Sequence, residues 1–441
     1  MSGLKLENSN VLIMGLGRFG GGIGAARFMV ANGARVTVTD LASQKALQSS
    51  IEQLSHLDIN WHLGGHLEAD FINADIVIVN PAVKYDSPLL ELAWENGAIL
   101  TTEIDLFCQL CRNPIIAVTG SNGKSTTAAM IAAVLQQDHN VWLGGNIGHG
   151  SLLNEMPAIK SDHLIVLELS SFQLYWLGLN NFRPNVAVVT NISPNHLDWH
   201  GNMAHYIEAK QNIMRFQEST DAAVLCSEAP QLQQWKHLGN GQKIFYSATD
   251  IDIELGIPGY HNRLNAAAAW TVGKLLRVPE NQIRNALLNY RSLPHRLQLI
   301  EEYDDIRYYN DSIATTPEST IAAIDSFDEH KILIMGGYDK QISMELLADK
   351  VADYAKAVVL IGQTADKIAK LLHDRKAKIP IVKAENMDQA VIMANKLAEP
   401  GDVVLLSPAC ASYGMFNNFT ERGKAFTKAV QNLTNELYKK R

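Results

Sequence analysis

Thr119-Gly120-Ser121-Asn122-Gly123-Lys124-Ser125-Thr126 puts two glycines, a lysine and four hydroxyls into eight positions. Those residue types handle phosphate. Glycines let successive backbone N–H groups wrap phosphate oxygens, Lys124 reaches the β- and γ-phosphates, and the Ser125 hydroxyl suits Mg²⁺. An apolar run over 115–118 precedes the turn and an Ala-rich stretch over 128–136 follows it. Strand, loop and helix thus stand in the order of a phosphate-binding loop. The strict pattern has a glycine five residues before Gly123, where this chain carries Val118, so the loop is a variant.

Two further groups could act beside a triphosphate. Glu168 ends the apolar run 163–168, and an ionised carboxylate at a strand tip needs a partner, Mg²⁺ being the simplest. The polar loop 191–201 follows the apolar run 185–192 and holds His196, Asp198 and His200 within five positions. Loops at the C-terminal ends of strands are where α/β folds place ligands. A second glycine turn, Gly15-Leu16-Gly17-Arg18-Phe19-Gly20, lies between a strand over 11–15 and a helix over 23–32. The strand over 35–40 then ends in Asp40, twenty residues after Gly20. That is the dinucleotide fingerprint with its ribose acid in place. Alone it also fits an NAD-dependent oxidoreductase, a reading that leaves the Lys124 loop unexplained.

The elements that must position these groups alternate strand and helix. Ala74 to Asn80 supplies a third strand and 98–102 a fourth, 222–227 a later one, and 307–310, 331–336, 357–362 and 402–407 another set. Such alternation predicts α/β architecture with mostly parallel sheets. A length of 441 residues suggests about three domains, and 47% hydrophobic residues give each a core. The expected division is a Rossmann-like domain over 1–103, a P-loop mononucleotide-binding domain over 104–293 and a second Rossmann-like domain over 294–441.

A net charge of −8 provides no basic footprint, which excludes a nucleic-acid-binding role. No apolar run reaches the roughly 18 residues of a membrane span, and the N-terminus lacks a signal-peptide core. The expectation is a cytoplasmic monomer. Four cysteines do not make a disulfide framework, and the lone pair Cys108 and Cys111 reads as small packing residues.

Taken together, the motifs resemble those of the Mur ligases of bacterial cell-wall synthesis, nearly end to end. The likeness rests on 119–126, Gly145-Asn146-Ile147-Gly148, 168–174, 191–201, 259–265, Pro294-His295-Arg296, Asn310-Asp311-Ser312 and 407–412. It implies ATP-driven amide-bond formation through an acyl phosphate, joining glutamate to UDP-N-acetylmuramoyl-L-alanine. By the same resemblance Gly15, Leu16, Gly17, Arg18, Phe19 and Asp40 hold UDP, and Asn146 and His196 touch the sugar nucleotide. Asn262 and Asn265 resemble adenine contacts, and Arg296 and Asp311 contacts to ATP phosphate and ribose. Thr315, Lys340, Ser412 and Phe419 fall where the family binds glutamate. Lys210 looks like the family's carbamylated lysine; a free ammonium would repel Mg²⁺, whereas added CO₂ makes it an anionic oxygen ligand. Glu168, His196 and modified Lys210 would then share a second Mg²⁺, beside the one on Ser125. Lys124, Glu168, His196 and Lys210 are the expected catalytic set.

Two departures stand out. Ile313 occupies a position where the family carries lysine, and some related ligases with an aliphatic residue there add L-glutamate. D-glutamate is the expectation, with L-glutamate and a sister Mur or folylpolyglutamate-type ligase as alternatives. Ala82 stands where a glycine near the uridine is expected.

Overall fold

The computed structural model describes residues 6–17, 20–148 and 150–440. The chain forms two compact units, Met1–Asp252 with Leu264–Leu287, and Ile253–Arg263 with Leu288–Arg441.

The first unit contains two parallel sheets. One is built from β1 (Asn10–Met14), β2 (Arg35–Asp40), β3 (Ile59–Leu63), β4 (Ile76–Val79) and β5 (Ile99–Thr101), in the order β3-β2-β1-β4-β5. The other comprises β6 (Ile115–Thr119), β7 (Val141–Gly145), β8 (Leu164–Glu168), β9 (Val186–Val189), β10 (Ala222–Cys226) and β11 (Gln242–Tyr246). Its order is β11-β10-β9-β6-β8-β7. Strand order reverses at β1 in the first sheet and around β6 in the second. Such switch points open the crevices in which doubly wound sheets hold ligands, and both glycine turns leave the sheets there.

The two sheets are tied by the helix Ser171–Leu179, which leaves β8. Its Trp176 packs among Leu12, Met14, Phe71, Val77 and Leu90, in the core under the first sheet. A second tie is polar. The Ser151 hydroxyl donates to Glu103, and a side-chain carbon at Gly24 would overlap Ser151. Burial pushes the Glu103 carboxyl up to about 7.

The second unit holds β12 (Gln298–Tyr303), β13 (Ile306–Asn310), β14 (Lys331–Gly336), β15 (Ala355–Ile361), β16 (Ile381–Lys383) and β17 (Val403–Leu406), ordered β12-β13-β17-β14-β15-β16. All pairs are parallel except β12 with β13. That hairpin closes on Asp304 and Asp305, both left-handed at φ 55° and 61°, as a two-residue primed turn requires.

Five strands were not foreseen: β3, β7, β11, β12 and β16. The segment over 74–80 is therefore the fourth strand, not the third, and 98–102 the fifth. All five lie at sheet edges and are part-exposed, whereas β6, β8, β9 and β10 are buried at every residue. An edge strand needs no continuous apolar run, so the signal that marks a central strand is missing.

Candidate active site

The phosphate-type turn leaves β6 and enters the helix Lys124–Leu135. Gly120 is fixed by close approach: a Cβ there would sit 1.9 Å from the Thr190 hydroxyl, at a φ of 152°. The turn is stitched to the loop after β9. The Ser121 N–H donates to the Asn191 carbonyl (2.9 Å), the Asn122 N–H to Asn191 Oδ1 (2.9 Å), the Ser121 hydroxyl to the Ser193 carbonyl (2.8 Å) and the Thr190 hydroxyl to the Asn122 carbonyl (2.6 Å). Lys124 Nζ donates to the Ser121 carbonyl (2.8 Å). Thr119 and Ser125 are buried, and Thr126 lies in the first turn of the helix. Asn265 Oδ1 accepts from the Thr127 hydroxyl (3.0 Å), which sets it against that same helix.

The stitched loop carries His196, left-handed at φ 53° in front of the short helix Leu197–His200. Non-glycine residues in that region cost of order 1–3 kcal/mol and gather at functional sites. Partial desolvation, with Lys124 and Lys210 nearby, lowers the His196 imidazole below its ordinary value. It is therefore a neutral base or ligand near pH 7. His200 is driven down to about 4, chiefly by burial, and its Nε2 shares a hydrogen bond with the Ser171 hydroxyl (2.9 Å).

Glu168, 1% exposed at the end of β8, is the most informative side chain. Its Oε1 accepts from Asn146 Nδ2 (3.0 Å), while its buried Oε2 has no hydrogen-bond partner. A buried carboxylate oxygen without a donor is costly, and a hard cation satisfies it. Lys210 is also buried, with Nζ donating to the Gly120 carbonyl (2.8 Å) and the Thr119 hydroxyl (3.2 Å). Burial first, then Lys124, hold its amine well below the ordinary lysine range, with Glu168 opposing. Among the described residues, no three His, Cys, Asp or Glu side chains form a ready cage. The unpaired, buried Glu168 oxygen has the chemistry to take a hard cation such as Mg²⁺.

At the other glycine turn, Gly15, Leu16 and Gly17 follow β1; Arg18 and Phe19 lie outside the described residues. Asp40 Oδ2 accepts the Leu16 N–H (2.9 Å) and its Oδ1 the Ala42 N–H (2.8 Å). Its first role is thus to shape the turn, with a lone pair left on each oxygen for a ligand.

In the second unit, Arg296 lies between His295 and Leu297, left-handed at φ 65° and 43°. Asp311 accepts from the Leu297 N–H (3.2 Å) and the Ser407 hydroxyl (3.0 Å), and burial raises it to about 7. Asn262 is buried and donates to the Pro258 carbonyl (2.6 Å). Ser412 is buried, Thr315 and Phe419 are half-buried, and Lys340 is exposed. Sequence reasoning missed Arg422, 1% exposed, which donates to the Ser312 hydroxyl (3.0 Å), the Ser312 carbonyl (2.7 Å) and the Cys410 carbonyl (2.9 Å). Burial lowers it to about 10. Its one available signal was its spacing, three residues after Phe419 on the same helix face. Thr190 was missed too, as a polar residue closing an apolar run.

Cys108 and Cys111 are free and half-buried, and both line a half-open depression of about 520 Å³ with Asn113, Asn180, Arg183 and Asn185, at the N-terminal edge of the second sheet. The depression lies beyond the end of β6 opposite the phosphate turn, because strand direction separates Ile115 from Thr119.

Among the described residues no helix is long and apolar enough to cross a membrane. Three family models match in series: a Mur ligase MurD-like N-terminal domain over 9–102, a Mur ligase middle domain over 118–250 and a Mur ligase glutamate ligase domain over 295–410. The chain is 37% identical to the UDP-N-acetylmuramoylalanine–D-glutamate ligase of Roseiflexus sp. (strain RS-1), over 98% of this chain and all of that one. It is 38% identical to the ligase of the same name from Acetivibrio thermocellus, over 97% of both. Its fold is shared with the UDP-N-acetylmuramate-alanine ligase of Thermotoga maritima (TM-score 0.62, 21% identity, 97% of this chain and all of that one). It is shared also with the MurF ligase of that organism in complex with ADP (TM-score 0.59, 16% identity, 97% and 96% covered).

Proposed function

Because the chain belongs to the Mur ligase family, we propose that it uses ATP to join D-glutamate to UDP-N-acetylmuramoyl-L-alanine in peptidoglycan synthesis. D-glutamate is the isomer named for relatives at 37% and 38% identity over essentially the whole chain. Ile313 leaves that position without the lysine expected there.

The reaction brings two anions together, so positioning and charge neutralisation do most of the work. The alanine carboxylate attacks the γ-phosphate, giving an acyl phosphate and ADP. The glutamate amine then attacks the acyl carbon and phosphate leaves. Residues 119–126 wrap the triphosphate through backbone N–H groups, Lys124 offsets its charge, and Asn265 flanks the helix. Asn262, Arg296 and Asp311 are the further nucleotide contacts. Gly15, Leu16, Gly17 and Asp40 take the UDP end, with Asn146 and His196 toward the sugar. Thr315, Lys340, Ser412 and Phe419 hold glutamate. Mg²⁺, when bound, neutralises phosphate charge; Ser125 would hold one ion, and Glu168, His196 and a carbamylated Lys210 a second. The amine must also lose a proton before it attacks, to a carboxylate or an imidazole near the site. The boundaries near 103 and 293 divide these tasks among three domains in a cytoplasmic monomer.

The observation that carries this reading is the buried, unpaired Glu168 Oε2 in the same unit as the phosphate turn. The test is phosphate release with D- and L-glutamate side by side, with and without UDP-N-acetylmuramoyl-L-alanine. Release that needs both substrates and favours the D isomer is expected. Equal release without the acceptor overturns the reading, and a preference for L-glutamate overturns the stereochemistry.

A further inference from the structure

We propose that Trp199 is a positioning residue that couples nucleotide occupancy of the Gly15–Gly17 turn to His196 and Glu168. The proposal rests on the reading that this turn takes the UDP end of the substrate.

Successive contacts lead from the turn to the His196 ring and to Ser171. A Cβ at Gly15 would lie 2.9 Å from Asn80 Cβ, and Asn80 Nδ2 donates to the Gly15 carbonyl (3.3 Å). Asn80 also fixes the turn that follows β4: its Oδ1 accepts the Ala82 N–H (3.0 Å) and its carbonyl the Val83 N–H (2.9 Å). The Val83 carbonyl in turn accepts the Trp199 indole N–H (3.2 Å). The indole is 7% exposed, with ring centroids 5.1 Å from Tyr85, 4.9 Å from Phe172 and 4.6 Å from His200. Phe172 lies 4.7 Å from the His196 ring. His200 bonds Ser171, three residues beyond Glu168.

A ligand seated on the glycine turn meets Asn80, whose segment joins a close-packed aromatic cluster through the indole hydrogen bond to Val83 and the Tyr85 ring. Packed clusters of this kind shift between discrete arrangements rather than compressing. A displaced Val83 carbonyl either draws the indole along, and with it Phe172 and His196, or breaks the bond. Coupling of this kind is a measurable free energy between the two ligands.

Calorimetric titrations with UDP, and with Mg²⁺ plus a non-hydrolysable ATP analogue, are run singly and together. In the unmodified protein each ligand tightens the other by the same factor, at least about 5-fold. Trp199→Phe keeps an aromatic ring and removes the N–H; Tyr85→Leu weakens the same joint from the other side. Both variants reduce the factor to below about 2-fold, with UDP alone bound as before. Coupling absent from the unmodified protein, or retained in Trp199→Phe, overturns the inference. Gly15→Val separates the two levels: lost UDP binding supports the site reading, and retained binding overturns that reading and the inference with it.

Discussion

Replacing Glu168 by glutamine separates a metal seat from a structural carboxylate. The side chain keeps its shape, and the amide oxygen still accepts from Asn146 Nδ2 in place of Oε1. What changes is the buried Oε2, which has no donor and becomes a neutral amide nitrogen. An unsatisfied buried polar group costs about 1–3 kcal/mol, more when charged. The metal-free variant is therefore expected to be as stable as the original or better by on the order of 1 kcal/mol. Activity moves the other way. Removing one preorganised charge from a phosphoryl-transfer site lowers kcat about 10²–10³-fold, equivalent to about 2.7–4 kcal/mol. Phosphate release measures the activity, and thermal unfolding with and without Mg²⁺ and the ATP analogue measures stability and ligand binding. At 100 times Kd the ligand stabilises the native protein by about 2.7 kcal/mol, and the variant loses most of that shift at the same concentration. Turnover within threefold of the original, or a metal-free variant destabilised in proportion to its lost activity, would refute the reasoning.

Three further outcomes are expected. Lys210→Ala loses most activity, and added bicarbonate does not restore it, because the amine that would take up CO₂ is gone; wild-type turnover would remove the carbamate from the reading. Gly120→Ala forces a side chain onto the Thr190 hydroxyl, so ATP-analogue affinity measured by calorimetry falls at least tenfold. Glu103 is raised from 4.5 to about 7 by burial, so the folded protein holds a proton there that the unfolded chain has lost. That contribution is complete below about pH 4.5 and is lost as pH rises through about 7, amounting to about 3 kcal/mol at 1.36 kcal/mol per unit. Urea unfolding at pH 5 and pH 8 should show a smaller loss of stability in Glu103→Gln than in the original protein.

The central strands and the turns they feed were legible in the residue pattern. Buried parallel strands must be apolar on both faces, so β1, β6, β8, β9 and β17 are visible as runs. The glycines and lysine of 119–126 are visible because phosphate binding restricts residue type at each position. Edge strands β3, β7, β11, β12 and β16 were hidden because half their surface faces away from the core. Which polar groups meet depends on the packing of segments far apart in the chain. Residues 120–122 join 190–193 because β6 and β9 are neighbours in the sheet though about seventy positions apart in sequence. Asn146 reaches Glu168 for the same reason, across β7 and β8. The unpaired Glu168 Oε2 and the desolvated Lys210 Nζ are properties of burial, which local sequence does not encode. Packing likewise set Cys108 and Cys111 along a half-open depression and brought Trp199 onto Val83, because each depends on which distant segments share a sheet edge or a helix face.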